Sequence, residues 1–380
     1  MQLQIEHIDL VSPGPGSKRR LQLRRYGAKG QGPKAYIQAA LHADEIPAMM
    51  VAHHLAQLLD AAAGRGEIQG EIVLLPYANP VGLAQIFNGE HAGRYDIRGG
   101  GNFNRNWPDL AALIEADIAG KLGADAEGNV AAIRAAMREA LAGMAASDQL
   151  SSLRLALARE ACDADLLLDM HCDDDALMHC FLIPAHWPEA KDLVAELGCR
   201  AALLAEDSGG ASFDEAFSTP WTRLAAKFPD APIPAACLAT TLEFRGGAEV
   251  SDAINRPDAA AVYRVLQRRG MIAGDPGPLP APLCEGSRLD ATESLRSPGN
   301  GILSYAVKPG ATVRKGDLIA TLVDPAAEDP LRGRREIRAG TSGLVLSRKT
   351  HKYVAQGMAM AKIVGTEPLE SRKGGYLLED

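Results

Sequence analysis

Ala35-Tyr36-Ile37-Gln38-Ala39-Ala40-Leu41-His42-Ala43-Asp44-Glu45-Ile46-Pro47 is the stretch that decides the fold. Ala35 to Ala40 reads as a buried strand and Pro47 to Ala62 as a helix, with His42 and Glu45 at the junction. A strand that feeds straight into a helix opens an α/β unit. A histidine at i and a glutamate at i+3 can converge there on one cation, because an imidazole nitrogen and a carboxylate are both ordinary zinc ligands. His-x-x-Glu also arises by chance, so the pair gains its weight from what lies downstream.

Asp165-Leu166-Leu167-Leu168-Asp169-Met170-His171 reads as a short buried strand that ends in a histidine. Ligands of open α/β sheets sit beyond the carboxyl ends of strands, which is where a third metal ligand belongs. Taken alone, His171 would equally suit a core histidine with a satisfied hydrogen bond. A second apolar run, Ala236 to Leu242, ends in Glu243-Phe244-Arg245. A carboxylate at that place is costly unless it is paired or working. Two histidines and one glutamate leave a tetrahedral zinc with an open position for water, the pattern of catalytic zinc. A further carboxylate that is not a ligand then suits the general base. Between these strands lies Gly93-Arg94-Tyr95-Asp96, then Gly99-Gly100-Gly101 and Asn102-Phe103-Asn104-Arg105-Asn106-Trp107-Pro108, read as a loop because of its glycines. Arginine there supplies a fork for a carboxylate or oxyanion, and Phe103 and Trp107 argue that the loop is packed.

His42-x-x-Glu45, Asn104-Arg105-Asn106-Trp107, His171 and Thr241-Leu242-Glu243-Phe244-Arg245, in that order, resemble the zinc carboxypeptidase superfamily. Within it the chain most resembles the succinylglutamate desuccinylase/aspartoacylase branch, over about residues 30 to 265. The resemblance implies one zinc ion per chain on His42, Glu45 and His171, with Glu243 as general base and then proton donor. It implies Asn104 and Arg105 for the substrate carboxylate, and Arg94 for polarising the scissile carbonyl, with Arg98 as the competing candidate.

Hydrophobic residues at 47% and charged residues at 23% are ordinary for a globular protein of 380 residues, long enough for two domains. Forty basic against 48 acidic residues give a net charge of −8, which argues against a nucleic-acid partner. The start, Met1 to Glu6, has neither a basic nor an apolar leader region, and no run is long enough for a membrane helix. Cys162, Cys172, Cys180, Cys199, Cys237 and Cys284 form no C-x-x-C pair, so free thiols and a cytoplasmic location are expected. Cys172 follows a ligand on a strand and should face away from the metal.

Apolar runs at Ile72 to Leu75, Leu166 to Leu168, Cys180 to Ile183 and Ala235 to Leu242 read as strands. Helical stretches are expected at Pro47 to Ala62, Val130 to Met144, Ser152 to Ala161, Pro188 to Leu204 and Pro257 to Arg269. Their alternation predicts an α/β domain over residues 1–275 with a mainly parallel central sheet flanked by helices. Gly274 to Pro282 holds four prolines and two glycines, so residues 276–289 read as a linker. Residues 290–380 read as a small all-β domain. Gly301-Ile302-Leu303 and the run from Val307 to Asp317 are echoed by Gly343-Leu344-Val345 and Tyr353 to Met358. That repeat resembles the biotinyl/lipoyl barrel-sandwich fold. A carrier role does not follow, because Pro325 to Gly340 contains no lysine to modify. The domain is expected to be a structural or homo-oligomerising accessory, or a partial lid over the site.

The chemistry expected is zinc-dependent hydrolysis of the amide of a small N-acyl amino acid. Asp173 or Asp214, in the acidic runs Asp173-Asp174-Asp175 and Asp214-Glu215, could hold a cationic amine of the substrate, and Trp221 could wall the pocket. The competing functions are a metallocarboxypeptidase acting on short peptides and a non-catalytic metal-binding protein.

Overall fold

The computed structural model describes residues 3–372 and Leu377, so the outermost ends of the two expected domains (residues 1–2, 373–376 and 378–380) lie outside the described residues. A nine-stranded sheet is built from β1 (Leu3–Asp9), β2 (Arg20–Tyr26), β3 (Lys34–Ala39), β4 (Glu71–Leu75), β5 (Leu166–Asp173), β6 (His179–Leu182), β7 (Ala201–Leu204), β8 (Leu238–Gly246) and β9 (Gly286–Arg288). Their order in space is β1-β2-β4-β3-β5-β8-β6-β7-β9. The pairs β3/β4, β3/β5, β5/β8, β6/β7 and β7/β9 are parallel. Antiparallel pairing is confined to β1/β2, β2/β4 and β6/β8. The sheet is thus mainly parallel, and its central strands β3, β4 and β5 are buried almost throughout, as their continuous apolar sequence requires.

Helices cover both faces. Tyr36, Val73, Leu75 and Leu167 point to one side, against α2 (Leu110–Ile118), α3 (Ala126–Gly143), α4 (Gln149–Ala161) and α6 (Phe213–Lys227). Ile37, Leu74, Leu168 and Leu242 point to the other, against α1 (Ile46–Arg65), α5 (Trp187–Glu196) and α7 (Asp252–Arg268). The strict alternation of neighbours along each strand is the two-residue period of a pleated strand packed on both sides. Each such side chain taken from water contributes about 2 kcal/mol.

Two expectations need correction. Pro188 to Leu204 is not one helix: α5 stops at Glu196, Gly198 takes φ +64°, and Ala201–Leu204 returns as β7. Alanine and leucine suit either state, and pairing with β6 decides between them. Trp221 is 1% exposed inside the α6 face of the core, under the Arg134 guanidinium, and does not line the cavity at the ends of the central strands.

The C-terminal part forms two small antiparallel sheets around Val313, Ile319, Val345 and Ile363. One contains Thr292–Arg296, Ala359–Val364 and Gly343–Arg348, and the other Gly301–Tyr305, Leu318–Val323 and Arg334–Arg338. It is tied to the larger part of the chain at several places, among them an apolar cluster of Ala201 and Leu203 with Leu346 and Val364. Within the expected linker, residues 276–285 have no regular structure, and Gly286–Arg288 is the edge strand β9. Asp175–Ala176, just after β5, pairs antiparallel with Arg348 and Ser347. No helix among the described residues is long and apolar enough to cross a membrane.

Candidate metal centre and active site

The site lies at the carboxyl ends of β3, β5 and β8. Ala40 takes φ +59°, so the chain leaves β3 sharply, and Glu45 stands at the start of α1 just before Pro47. β5 and β8 pair with His171 directly opposite Glu243. Gly93 packs onto the ligand loop, where a Cβ would come within 2.3 Å of the Asp44 nitrogen. Ala43 N–H donates to the Gly93 carbonyl at 3.1 Å. Only glycine permits that approach, and it delivers Arg94 to the cluster.

The Glu45 carboxylate sits between the two imidazoles, with Oε1 3.0 Å from His42 Nδ1 and Oε2 2.7 Å from His171 Nδ1. Each imidazole also has a polar neighbour at its outer nitrogen. Asn102 Oδ1 accepts the Asn104 N–H at 2.8 Å, so it faces His42 Nε2 (2.8 Å) as an acceptor, and that nitrogen bears hydrogen. His171 Nε2 lies 2.9 Å from Asp169 Oδ2, whose other oxygen accepts from Gln38. The neutral tautomer of His42 therefore aims its Nδ1 lone pair at Glu45, and the Nδ1 of His171 faces the other oxygen of the same carboxylate. Three donor atoms lie within 4.8 Å of one another, and two of them are oriented by outer partners as metal-bound histidines are. The cluster can hold a metal ion.

Charge reinforces this picture. Burial, then the Arg94 charge, pushes His42 down to about 4. For His171 burial acts downward, but Asp169 and Glu45 overcome it and hold the imidazole well above its usual value. A dication at the three donors would replace that proton. Arg94 Nη1 lies 3.1 Å from Glu45 Oε1 and 3.2 Å from His42 Nδ1. Arg98 is turned away, donating to Asp96 and Gln149, so of the two competing arginines only Arg94 reaches the cluster.

Glu243 lines the same cavity, and its Oε2 is buried without a hydrogen-bond partner among the described residues. Burial, then the Glu45 charge, pushes its carboxyl up to about 8. Asn104 Nδ2 lies 3.5 Å from His171 Nε2, and its Oδ1 accepts the Phe213 N–H at 2.7 Å, which ties the loop to α6. Arg105 is 8% exposed, and its side chain lies against Gly210, where a Cβ would come within 2.6 Å of Arg105 Cδ. Phe103 and Trp107 are buried as expected, Trp107 edge-on to Phe213 at 4.6 Å. Cys172 lines the cavity, yet what it gives Glu45 is its backbone N–H (3.1 Å), while burial raises its thiol pKa.

The acidic run after His171 has other partners than a substrate. Asp173 accepts from Lys362 at 2.8 Å, Asp174 from Lys349 at 2.9 Å and Asp175 from Arg348 at 2.6 Å. All three bases belong to the C-terminal part, and Asp173, the residue expected to bind a substrate amine, lines the cavity while paired with a cation of the chain itself. Lys362→Met is expected to lower stability by about 2 kcal/mol, because it strips the cation from a carboxylate only 13% exposed. An unchanged denaturant midpoint would show that Asp173 does not depend on it.

The cavity has a volume of about 770 Å³. Lys349, Thr350, His351 and Lys362 bring the C-terminal part to its wall, which Glu90, His91 and Tyr95 also line. Reading the sequence missed the outer partners Asn102 and Asp169 and these C-terminal residues. Asp169 was detectable, being two positions before His171 on one strand face. Lys362 was not, since only tertiary packing brings it to Asp173.

Residues 31–268 match the succinylglutamate desuccinylase/aspartoacylase catalytic domain, and the chain belongs to that family. Among curated proteins, none matches it in sequence. Two crystal structures of succinylglutamate desuccinylase/aspartoacylase-type proteins share its fold. For that from Shewanella frigidimarina NCIMB 400 the TM-score is 0.84 at 22% identity, covering 96% of this chain and 98% of the other. For that from Shewanella amazonensis SB2B it is 0.80 at 23% identity, covering 95% and 98%.

Proposed function

We propose that this family member hydrolyses the amide bond of a small N-acyl amino acid, with zinc held by His42, Glu45 and His171. The observation that carries the reading is a single cavity bounded by three convergent metal donors, an unpartnered carboxylate (Glu243) and an arginine pair (Arg94, Arg105). Zinc at those donors would supply Lewis acidity to the scissile carbonyl and acidify a water. Glu243 takes the proton of the attacking water and returns it to the leaving amine, which needs a free carboxylate oxygen turned to the cavity. Arg94 donates N–H groups to the oxyanion as charge develops. Arg105, with Asn104, holds the substrate carboxylate, where a planar fork is worth more than a point charge. Two domains form the enzyme, residues 1–275 carrying the chemistry and 290–380 walling the cavity, in a cytoplasmic protein of amino-acid metabolism.

A cavity of about 770 Å³ suits a small molecule rather than an extended peptide. The test is free-amine release from acetyl, succinyl and formyl amino acids, with C-terminally extended peptides in parallel, before and after chelation and zinc return. Release confined to small N-acyl amino acids, lost on chelation and restored by zinc, is expected. Cleavage of the peptides instead would make the protein a carboxypeptidase. Metal uptake without any turnover would leave it a metal-binding protein.

A further inference from the structure

Asp214 stands in the first turn of α6, 6% exposed, on the wall of the same cavity as Arg105 and Glu243. Of the other acids there, Glu243 is the proposed base, Asp44 Oδ1 is buried without a hydrogen-bond partner among the described residues, and four more have partners. Glu45 has two histidines and Arg94, Asp173 has Lys362 and Asp174 has Lys349. Glu215 accepts the backbone N–H groups of Ser208 and Ser212. Asp214 accepts the Ser212 hydroxyl at 2.6 Å and a hydrogen bond from Thr241, and forms no ion pair among the described residues. Burial, then the Glu215 charge, pushes its carboxyl up to about 6, as befits a negative charge without a counter-charge.

A second observation points the same way. Ser208 Oγ, on a residue 3% exposed, lines this cavity and has no hydrogen-bond partner among the described residues. Thr241, from β8, lines it too. A carboxylate and two hydroxyls are acceptors for a group with several hydrogens and a positive charge. An ammonium has three such hydrogens, whereas a carboxylate there would meet repulsion. The place also has a fixed relation to the arginine. Phe213 N–H bonds Asn104 Oδ1, Asn106 N–H bonds the Gly210 carbonyl, and Gly210 lies on the Arg105 side chain. Segment 208–214 therefore sets an acidic subsite beside a basic one.

We infer that Asp214, with Ser208 and Thr241, determines specificity for N-acyl amino acids with a cationic side chain, whose ammonium it binds while Arg105 holds the carboxylate. This rests on the proposed deacylase reading and narrows it.

The experiment compares kcat/KM of the zinc-loaded protein for Nα-acetyl-ornithine and Nα-acetyl-lysine with their uncharged counterparts Nα-acetyl-norvaline and Nα-acetyl-norleucine, and with Nα-acetyl-glutamate. The wild type should favour the cationic over the uncharged substrate by at least about tenfold. Asp214→Asn should collapse that ratio towards unity. Ser208→Ala, which removes a hydroxyl with no partner to lose, should lower it several-fold and guards against a misfolded Asp214 variant. Calorimetric binding of ornithine, lysine and glutamate to the same proteins gives a readout that needs no turnover, and there too the cationic preference should depend on Asp214. A wild type that prefers uncharged or acidic substrates, or a ratio unmoved in both variants, overturns the inference while leaving the deacylase reading intact. Failure to cleave any amide, together with cationic binding that Asp214→Asn abolishes, would instead sink the deacylase reading and keep the subsite.

Discussion

Glu243→Gln is expected to keep its zinc and to lose about 10³-fold or more in turnover on any amide the protein cleaves. Glutamine has nearly the same shape, so the β5/β8 pairing that sets residue 243 opposite His171 should survive. What disappears is the oxygen that can take a proton, the one now buried without a partner. Metal content and kcat measured on one preparation decide the matter, and near-normal turnover with full metal would remove Glu243 from the base role. The same variant carries a stability signature in the metal-free protein. Burial, then the charge of Glu45, raises the Glu243 carboxyl to about 8, above its value in the unfolded chain. The folded state thus holds this proton more tightly, and the stability that follows is present below the ordinary carboxylate range and lost as pH rises through about 8. Metal-free Glu243→Gln should therefore melt higher than metal-free wild type at pH 9, with the gap narrowing towards pH 5.

What could be read in the sequence, and what could not, divides along a physical line. His42, Glu45, His171 and Glu243 were legible because each stands at the carboxyl end of an apolar run, and such runs announce buried strands whatever packs against them. Their convergence is then fixed by parallel pairing, β3 beside β5 and β5 beside β8. Ala201–Leu204 was misread because alanine and leucine carry no strand signal of their own, and only the neighbouring β6 makes them one. The partner of Asp173 was hidden for a related reason: Lys362 lies in a different sheet, and only tertiary packing brings it there. Arg94 and Arg98 could not be separated by spacing across Gly99-Gly100-Gly101. The close approach of Gly93 to the Asp44 backbone separates them, since it fixes where the side chain of residue 94 begins.

The clasp of Asp173, Asp174 and Asp175 on Lys362, Lys349 and Arg348 joins the accessory sheets to the strand that carries His171. The more exposed pairs, those of Asp174 and Asp175, contribute little each. Their use here is positional, together with the backbone pairing of Asp175–Ala176 to Ser347 and Arg348. They bring Lys349, Thr350 and His351 to the cavity wall.

Substitution at the metal cluster should have the other large effect. His171→Ala is expected to leave the protein without zinc after dialysis, and without turnover. It removes one of three donors, and it also removes the only basic partner that Asp169, a carboxylate with no exposure at all, has among the described residues. Losing the cation from such a group costs about 3 kcal/mol or more, so the variant should also melt earlier, and inactivity alone would not identify a ligand. Two further readings do. Zinc should raise the melting temperature of the wild type, because it binds the folded chain, and should not raise that of His171→Ala. Asp169→Asn, which keeps His171 and changes only the group that orients it, should still bind zinc, about 10- to 100-fold more weakly. A graded loss, complete at His171 and partial at Asp169, is what a ligand and its orienting partner produce. Full zinc retention in His171→Ala would take that residue out of the metal site and leave Glu45 and His42 too few to form one.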